Sequence, residues 1–213
     1  MKKLVLYSDQ IPPLTDEIDA ELKKLFDKTN PRIGYIPSAS DPERKYFRER
    51  KSYYYRLGMD MDVYFELDKE WKPDLLESLL DCDAIHLSGG NTYYFLHWLR
   101  RRNMTDTLIR YVNQGGILIG VSAGSILMTL DISTSALCGD EIMEGETDFS
   151  GLGLVDFSFM PHFGDVPADI DDLKKYSRDN QMRVYAASDS GGIIVLENEV
   201  TCIGDVIVID KTS

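Results

Sequence analysis

Three features of the sequence predict an α/β fold, a three-layer α/β/α sandwich around a mostly parallel sheet that ends in a C-terminal β-meander. Short apolar runs alternate with amphipathic segments along the first 130 residues, the signature of strands joined by crossover helices. The stretch Ile117-Leu118-Ile119-Gly120-Val121-Ser122-Ala123-Gly124-Ser125-Ile126-Leu127-Met128 reads as strand, sharp turn and helix. Residues 184–209 carry three β-rich runs separated by short polar turns. A chain of 213 residues with 43% hydrophobic side chains can bury one full core, so a single domain over 1–213 is expected.

Residues 3–8 form the first β-rich run, and Pro12-Pro13 break the backbone before Thr15, a helix cap. Ile18, Leu22, Leu25 and Phe26 then recur at helical spacing. Residues 32–37 are a second strand, stopped by Pro37 and the turn-forming Ser38-Ala39-Ser40-Asp41. Residues 43–57 mix Arg, Lys and Glu with Tyr and Phe and read as a solvated helix. A strand over 61–67, a helix with Pro73 in its first turn, and a strand over 83–87 follow. That strand runs into Ser88-Gly89-Gly90-Asn91-Thr92, after which residues 91–102 and 105–113 have helical patterns closed by Gly115-Gly116. Beyond the organising strand and turn, residues 131–153 are polar and read as loop with short strands. Residues 155–160 are strand-like and lead into Pro161-His162-Phe163, and residues 169–181 form a polar helix. The meander comprises residues 184–188, 192–196 and 200–209.

The net charge of −13 argues against nucleic acid, whose phosphates are held by clustered Lys and Arg. No apolar run is long enough to span a bilayer, and Asp9 arrives too early for a signal peptide, so no membrane association is expected. Cys82, Cys138 and Cys202 are scattered, odd in number and without metal spacing, which suits a reducing cytoplasm.

The chemistry centres on Gly120-Val121-Ser122-Ala123-Gly124, a G-x-S-x-G turn whose glycines let the backbone hold Ser122 exposed at a sheet's carboxyl end. A serine hydroxyl needs a neighbouring imidazole to take its proton. Of the three histidines, His86 lies in an apolar strand and His97 in an amphipathic helix beside Trp98, positions suited to structural roles. His162 sits in a loop after a strand and is the candidate base. A carboxylate must orient that imidazole. Asp189 stands at a strand-to-turn junction, and Asp131, Asp140, Glu141 and Asp165 compete with it. An oxyanion needs two aimed N–H groups, one from Ala123 after the nucleophile and the second from the Gly89-Gly90-Asn91 loop.

Taken together, Ser88-Gly89-Gly90-Asn91-Thr92, Gly120-Val121-Ser122-Ala123-Gly124, Pro161-His162-Phe163 and Asp189 ahead of Gly192-Ile193-Ile194-Val195 resemble, in order and spacing, the peptidase S51 family. That family contains the aspartyl dipeptidases called peptidase E and the cyanophycinases, and the likeness covers nearly the whole chain. The resemblance implies a fold like that of class I glutamine amidotransferases, a flavodoxin-like arrangement. It implies a catalytic set of Ser122, His162 and Asp189, an oxyanion hole from Gly90 and Ala123, and substrate contacts at Gly89, Asn91 and Thr92. The family's carboxylate is often Glu, so Asp189 reaches one methylene less far. The implied activity is a cytoplasmic serine peptidase acting on small peptides, dipeptides with N-terminal Asp among them, with no metal or organic cofactor. A homodimer stays open, as do an esterase or amidase and a non-catalytic binding module of the same fold. No positive group for an aspartyl side chain is assigned by the sequence.

Overall fold

The computed structural model describes residues 1–211. Its main sheet has seven strands in the order β3-β2-β4-β5-β1-β8-β9. These are β1 (Lys3–Tyr7), β2 (Arg32–Ile36), β3 (Asp60–Tyr64), β4 (Ala84–Leu87), β5 (Ile117–Val121), β8 (Gly192–Leu196) and β9 (Glu199–Ile203). The five strands from β3 to β1 run parallel, whereas β8 is antiparallel to β1 and to β9. A second sheet, β10-β7-β6, joins β6 (Ser158–Met160), β7 (Val184–Ala187) and β10 (Val206–Ile209).

The period of two along each central strand divides the core into two layers. Leu4, Leu6, Ile85, Leu87 and Leu118 point to one face. There they meet Leu79 of α3 (Pro73–Leu80), Phe95 and Leu99 of α4 (Thr92–Arg101), and Leu108 and Val112 of α5 (Met104–Asn113). Val5, Tyr7, Ile33, Tyr35, Ile117 and Ile119 point to the other face. They pack on Ile18 and Leu22 of α1 (Asp16–Lys24) and on Tyr53 and Tyr54 of α2 (Lys45–Arg56). All five residues of β5 are buried, as a strand covered on both faces requires. A third cluster, with Met160, Val184, Ala186 and Ile209, seats α8 (Ile170–Asn180) on the small sheet through Leu173.

The α/β/α sandwich is the predicted one, and it differs from the sequence reading in four places. The terminal strands divide between the two sheets: β8 and β9 form a hairpin on the main sheet, and β10 returns to pair with β7. The run over 200–209 breaks at Gly204, whose φ of +70° turns the chain, so one expected strand becomes two. Within 131–153 a short helix, α7 (Thr134–Leu137), forms where loop was expected. Thr134 Oγ1 donates to Phe159 O at 2.9 Å, and Ser135 Oγ donates to Ile132 O at 2.6 Å. The strand expected over 155–160 is confined to Ser158–Met160.

Candidate active site

The carboxyl ends of β1, β2, β4, β5, β6 and β7 face one rim, where open α/β sheets bind ligands. At the end of β5 the chain reverses into α6 (Ala123–Ile126) through Ser122, whose φ of 53° and ψ of −112° lie outside the ordinary regions for a side-chain-bearing residue. Such a conformation costs about 1–3 kcal/mol and persists only where its surroundings impose it. Here Ser122 N donates to Tyr7 O (3.1 Å), Gly124 N to Ser88 O (3.1 Å), and Ser125 Oγ to Tyr7 O (2.7 Å). These bonds clamp the turn to β1 on one side and to the end of β4 on the other. A Cβ on Gly120 would lie 2.5 Å from Gly124 C, and one on Gly124 would lie 2.2 Å from Leu87 O. Both glycines are therefore demanded by close backbone approach.

His162 follows β6 with φ 56°. Its N–H donates to Ser8 Oγ at 2.7 Å, and Phe163 N donates to Ala187 O at 2.9 Å, so the loop is pinned to the ends of β1 and β7. Asp189 sits in a tight turn closed by Gly191 N donating to Ser188 O at 2.8 Å. The structure brings Ser122, His162 and Asp189 together. His162 Nδ1 lies 2.6 Å from Asp189 Oδ1, and His162 Nε2 lies 2.9 Å from Ser122 Oγ. The carboxylate can only accept, so Nδ1 carries the proton and Nε2 presents its lone pair to the serine hydroxyl. The side chains of His162 and Asp189 are 28% and 27% exposed, open enough for a ligand to reach the chain of bonds. Asp9, at the end of β1, places a carboxylate oxygen within 4.8 Å of a ring nitrogen of His162 and an oxygen of Asp189. Among the described residues, those three side chains are the group that could hold a metal ion.

The competing acids lie elsewhere. Asp140 accepts from Thr92 N at 2.8 Å, Asp131 accepts from Ser133 N at 2.8 Å, and Glu141 and Asp165 are exposed. Ser8, fully buried, was not singled out by the sequence. Its hydroxyl accepts from His162 N and is placed to donate to Ala187 O (3.2 Å) or Asp189 Oδ1 (3.4 Å).

Ser122 and His162 open onto a cavity of about 580 Å³, a size typical of small-molecule sites, lined also by Gly89, Gly90, Tyr35, His86 and Arg50. A Cβ on Gly89 would stand 3.5 Å from Ser122 Cβ, so this loop lies directly against the serine. Gly90 has φ +132°, and a Cβ there would meet Ser38 Oγ at 2.1 Å. Asn91 and Thr92 are placed differently, outside the cavity wall. Asn91 caps α4 by accepting from Tyr94 N and donates through Nδ2 to Glu141 O, while Thr92 is buried. His86 is buried, stacks on Tyr35, and has Nδ1 2.8 Å from the Tyr54 hydroxyl. Burial, reinforced by the Arg50 charge, holds its pKa well below the ordinary value, so it is neutral. His97 packs edge-on against Trp98, away from the cavity.

Arg50, on α2, is the arginine of the cavity wall and is half-buried. Its Nη1 donates to Gln10 O and Oε1 at 3.0 and 3.2 Å. Among the described residues no carboxylate forms an ion pair with it.

The chain is similar in sequence and in fold to several known proteins. An uncharacterized peptidase of Listeria innocua is 26% identical over 211 residues, covering 94% of this chain and 95% of that protein. A peptidase E of a Nostoc species is 26% identical over 145 residues, covering 67% of this chain and 57% of its own length. Among solved structures, a Listeria monocytogenes protein provisionally named peptidase E superposes with a TM-score of 0.78 at 24% identity, over 96% of this chain and 98% of that one. A peptidase from an acI-B1 actinobacterium gives 0.67 at 18% identity, over 99% and 91%. At such identities the superpositions establish the shared α/β fold. The sequence model of Peptidase family S51 matches residues 6–203, nearly the whole length, and the chain belongs to that family.

Proposed function

We propose that this peptidase is of the serine type, cleaving small peptides through an acyl-enzyme formed on Ser122. The observation that carries the reading is the unbroken line of hydrogen bonds from Asp189 Oδ1 through His162 to Ser122 Oγ, at the mouth of a cavity of ligand size. Ser122 Oγ attacks the scissile carbonyl carbon as its proton passes to His162 Nε2. The same proton then goes to the leaving amine nitrogen, the C–N bond breaks, and an ester to Ser122 remains. Water attacks that ester with His162 again acting as base, which returns the serine and releases the acid. Asp189 holds the Nδ1–H tautomer and stabilises the imidazolium. Ala123 opens α6, so its N–H has no intrahelical acceptor, and Gly90 lies in the loop beside Ser122. These two N–H groups are the proposed oxyanion donors.

For substrate, the reading extends to dipeptides with N-terminal aspartate. Arg50 supports it: a half-buried guanidinium in the cavity wall, without an ion-pair partner among the described residues, suits a carboxylate, which it can take with paired N–H donors. The chain's net charge of −13 does not attract anions at a distance, so such selectivity is local to this cation. The test is a panel of Asp-, Glu-, Ala-, Leu- and Lys-Xaa dipeptides given to wild type and Ser122→Ala. Turnover of Asp-Xaa that disappears with Ser122 is expected. Turnover that survives in Ser122→Ala would overturn the serine mechanism, and equal rates across the panel would overturn the aspartyl preference.

A further inference from the structure

We propose that Asp9, His162 and Asp189 form an inhibitory site for a divalent transition metal, zinc above all. One carboxylate oxygen from each aspartate and one ring nitrogen of His162 lie within 4.8 Å of one another. The three side chains come from the ends of β1, β6 and β7, so the sheets fix their mutual placement. All three are partly exposed, and Asp9 also lines the cavity, which gives an ion an open path. The charge balance favours a cation. Two carboxylates stand beside a single imidazole, and among the described residues no lysine or arginine forms an ion pair with either. One nitrogen and two oxygens, completed by water, suit zinc, whereas magnesium and calcium prefer all-oxygen shells. Side-chain adjustment must bring the ligand atoms to zinc distances of about 2.0–2.2 Å, and an ion at Nδ1 opens the His162–Asp189 hydrogen bond as it enters.

Inhibition follows from the electron count of the ring, and this part rests on His162 being the base. Neutral imidazole has one nitrogen lone pair free for bonding, and it faces Ser122 Oγ in the resting state. Zinc bound at Nε2 takes that pair outright. Zinc bound at Nδ1 requires the proton to move to Nε2, which then donates instead of accepting. In either case Ser122 has no group to receive its proton. Asp9 has no place in the proton relay, so it separates the metal site from the catalytic one.

The experiment has two arms. Calorimetric titration of Ser122→Ala with zinc chloride reads binding without turnover, in the parent and with Asp9→Asn added. Inhibition of dipeptide hydrolysis by zinc, reversed by EDTA, is read in wild type and Asp9→Asn. Expected are micromolar zinc binding, weakened about tenfold or more by Asp9→Asn, and the same rightward shift in the inhibition curve when each protein is referred to its own metal-free rate. Magnesium is expected to neither bind nor inhibit at those concentrations. Zinc binding unaltered by Asp9→Asn would overturn the site, because that variant keeps every cysteine and His97. A rise in KM without loss of zinc sensitivity would overturn it too, making Asp9 a substrate contact. Zinc bound at full occupancy with turnover intact would overturn the inhibitory role. Should wild type hydrolyse no peptide even without metal, the proposed function fails while the binding arm still decides the site.

Discussion

Ser8 shows how much of a site can hang on a residue that never meets the substrate. Buried at the end of β1, it accepts the His162 N–H and reaches toward both Ala187 O and Asp189 Oδ1. Ser8→Ala leaves a backbone N–H without its acceptor, a loss of about 1–3 kcal/mol, and loosens the loop that aims the imidazole. A fall in kcat of about tenfold or more with KM little changed is expected, and a change confined to KM would contradict the positioning role. Asp189→Asn tests the other end of the relay, since an amide can donate to Nδ1 and so favour the wrong tautomer. A drop in kcat of about 10³–10⁴ is expected with folding intact, read from single-turnover rates and a melting curve. Arg50→Met is expected to raise KM for Asp-Xaa by about tenfold or more while leaving Ala-Xaa within about twofold, in a side-by-side kinetic comparison. Ser122 and His162 were legible in the sequence, the first from its flanking glycines and the second by elimination among three histidines. Asp189 was separated from four other acids only by likeness to a family, because local spacing does not say which turn the fold carries to the imidazole. Ser8 and Arg50 were not legible, since their roles arise from β1 pairing with β5 and from α2 lying across the rim.

The element on which the site depends is the β5–α6 turn, and its glycines are steric requirements. Leu87 O occupies the space a Gly124 Cβ would fill, and Gly124 itself occupies the space beside Gly120. Gly124→Ala must push α6 away from β4 and disturb the Gly124 N to Ser88 O bond. A loss of about 1–3 kcal/mol in urea unfolding is expected, together with a loss of turnover larger than that destabilisation alone explains. Elements made by local pattern were visible beforehand: strands buried on both faces read as apolar runs, and α1, α4 and α5 as stripes at helical spacing. What sequence pattern missed was decided at a distance. Helix α7 exists because Thr134 finds Phe159 O, and β9 and β10 join different sheets because Gly204 turns the chain at φ +70°. A Cβ on Gly204 would stand 2.4 Å from Ser190 O, so that turn packs directly against the loop bearing Asp189. The departure from a simple meander thus buttresses the site.

At the scale of the whole molecule, the cavity costs stability in acid. Its inner wall includes His86, buried among Tyr35, Tyr54 and the Arg50 charge and held neutral in the fold. The unfolded chain exposes the same ring, which takes up a proton as pH falls below about 6.5. In that range the unfolded state binds more protons than the folded one, so stability falls with pH until the folded ring also protonates. Asp19 acts in the opposite sense. Burial raises its folded pKa above the ordinary carboxylate value, so acid relieves a penalty there. Moving from pH 7.5 to 5.5 is expected to remove about 1.4 kcal/mol of unfolding free energy through this one ring. His86→Gln has no such proton to bind, so its urea midpoint is expected to change less over the same interval, whatever the substitution costs at pH 7.5. Equal pH slopes in the two proteins would mean that His86 is protonated within the fold. That charge would add to the positive potential beside Arg50, and carboxylate binding in the cavity would then tighten as pH falls.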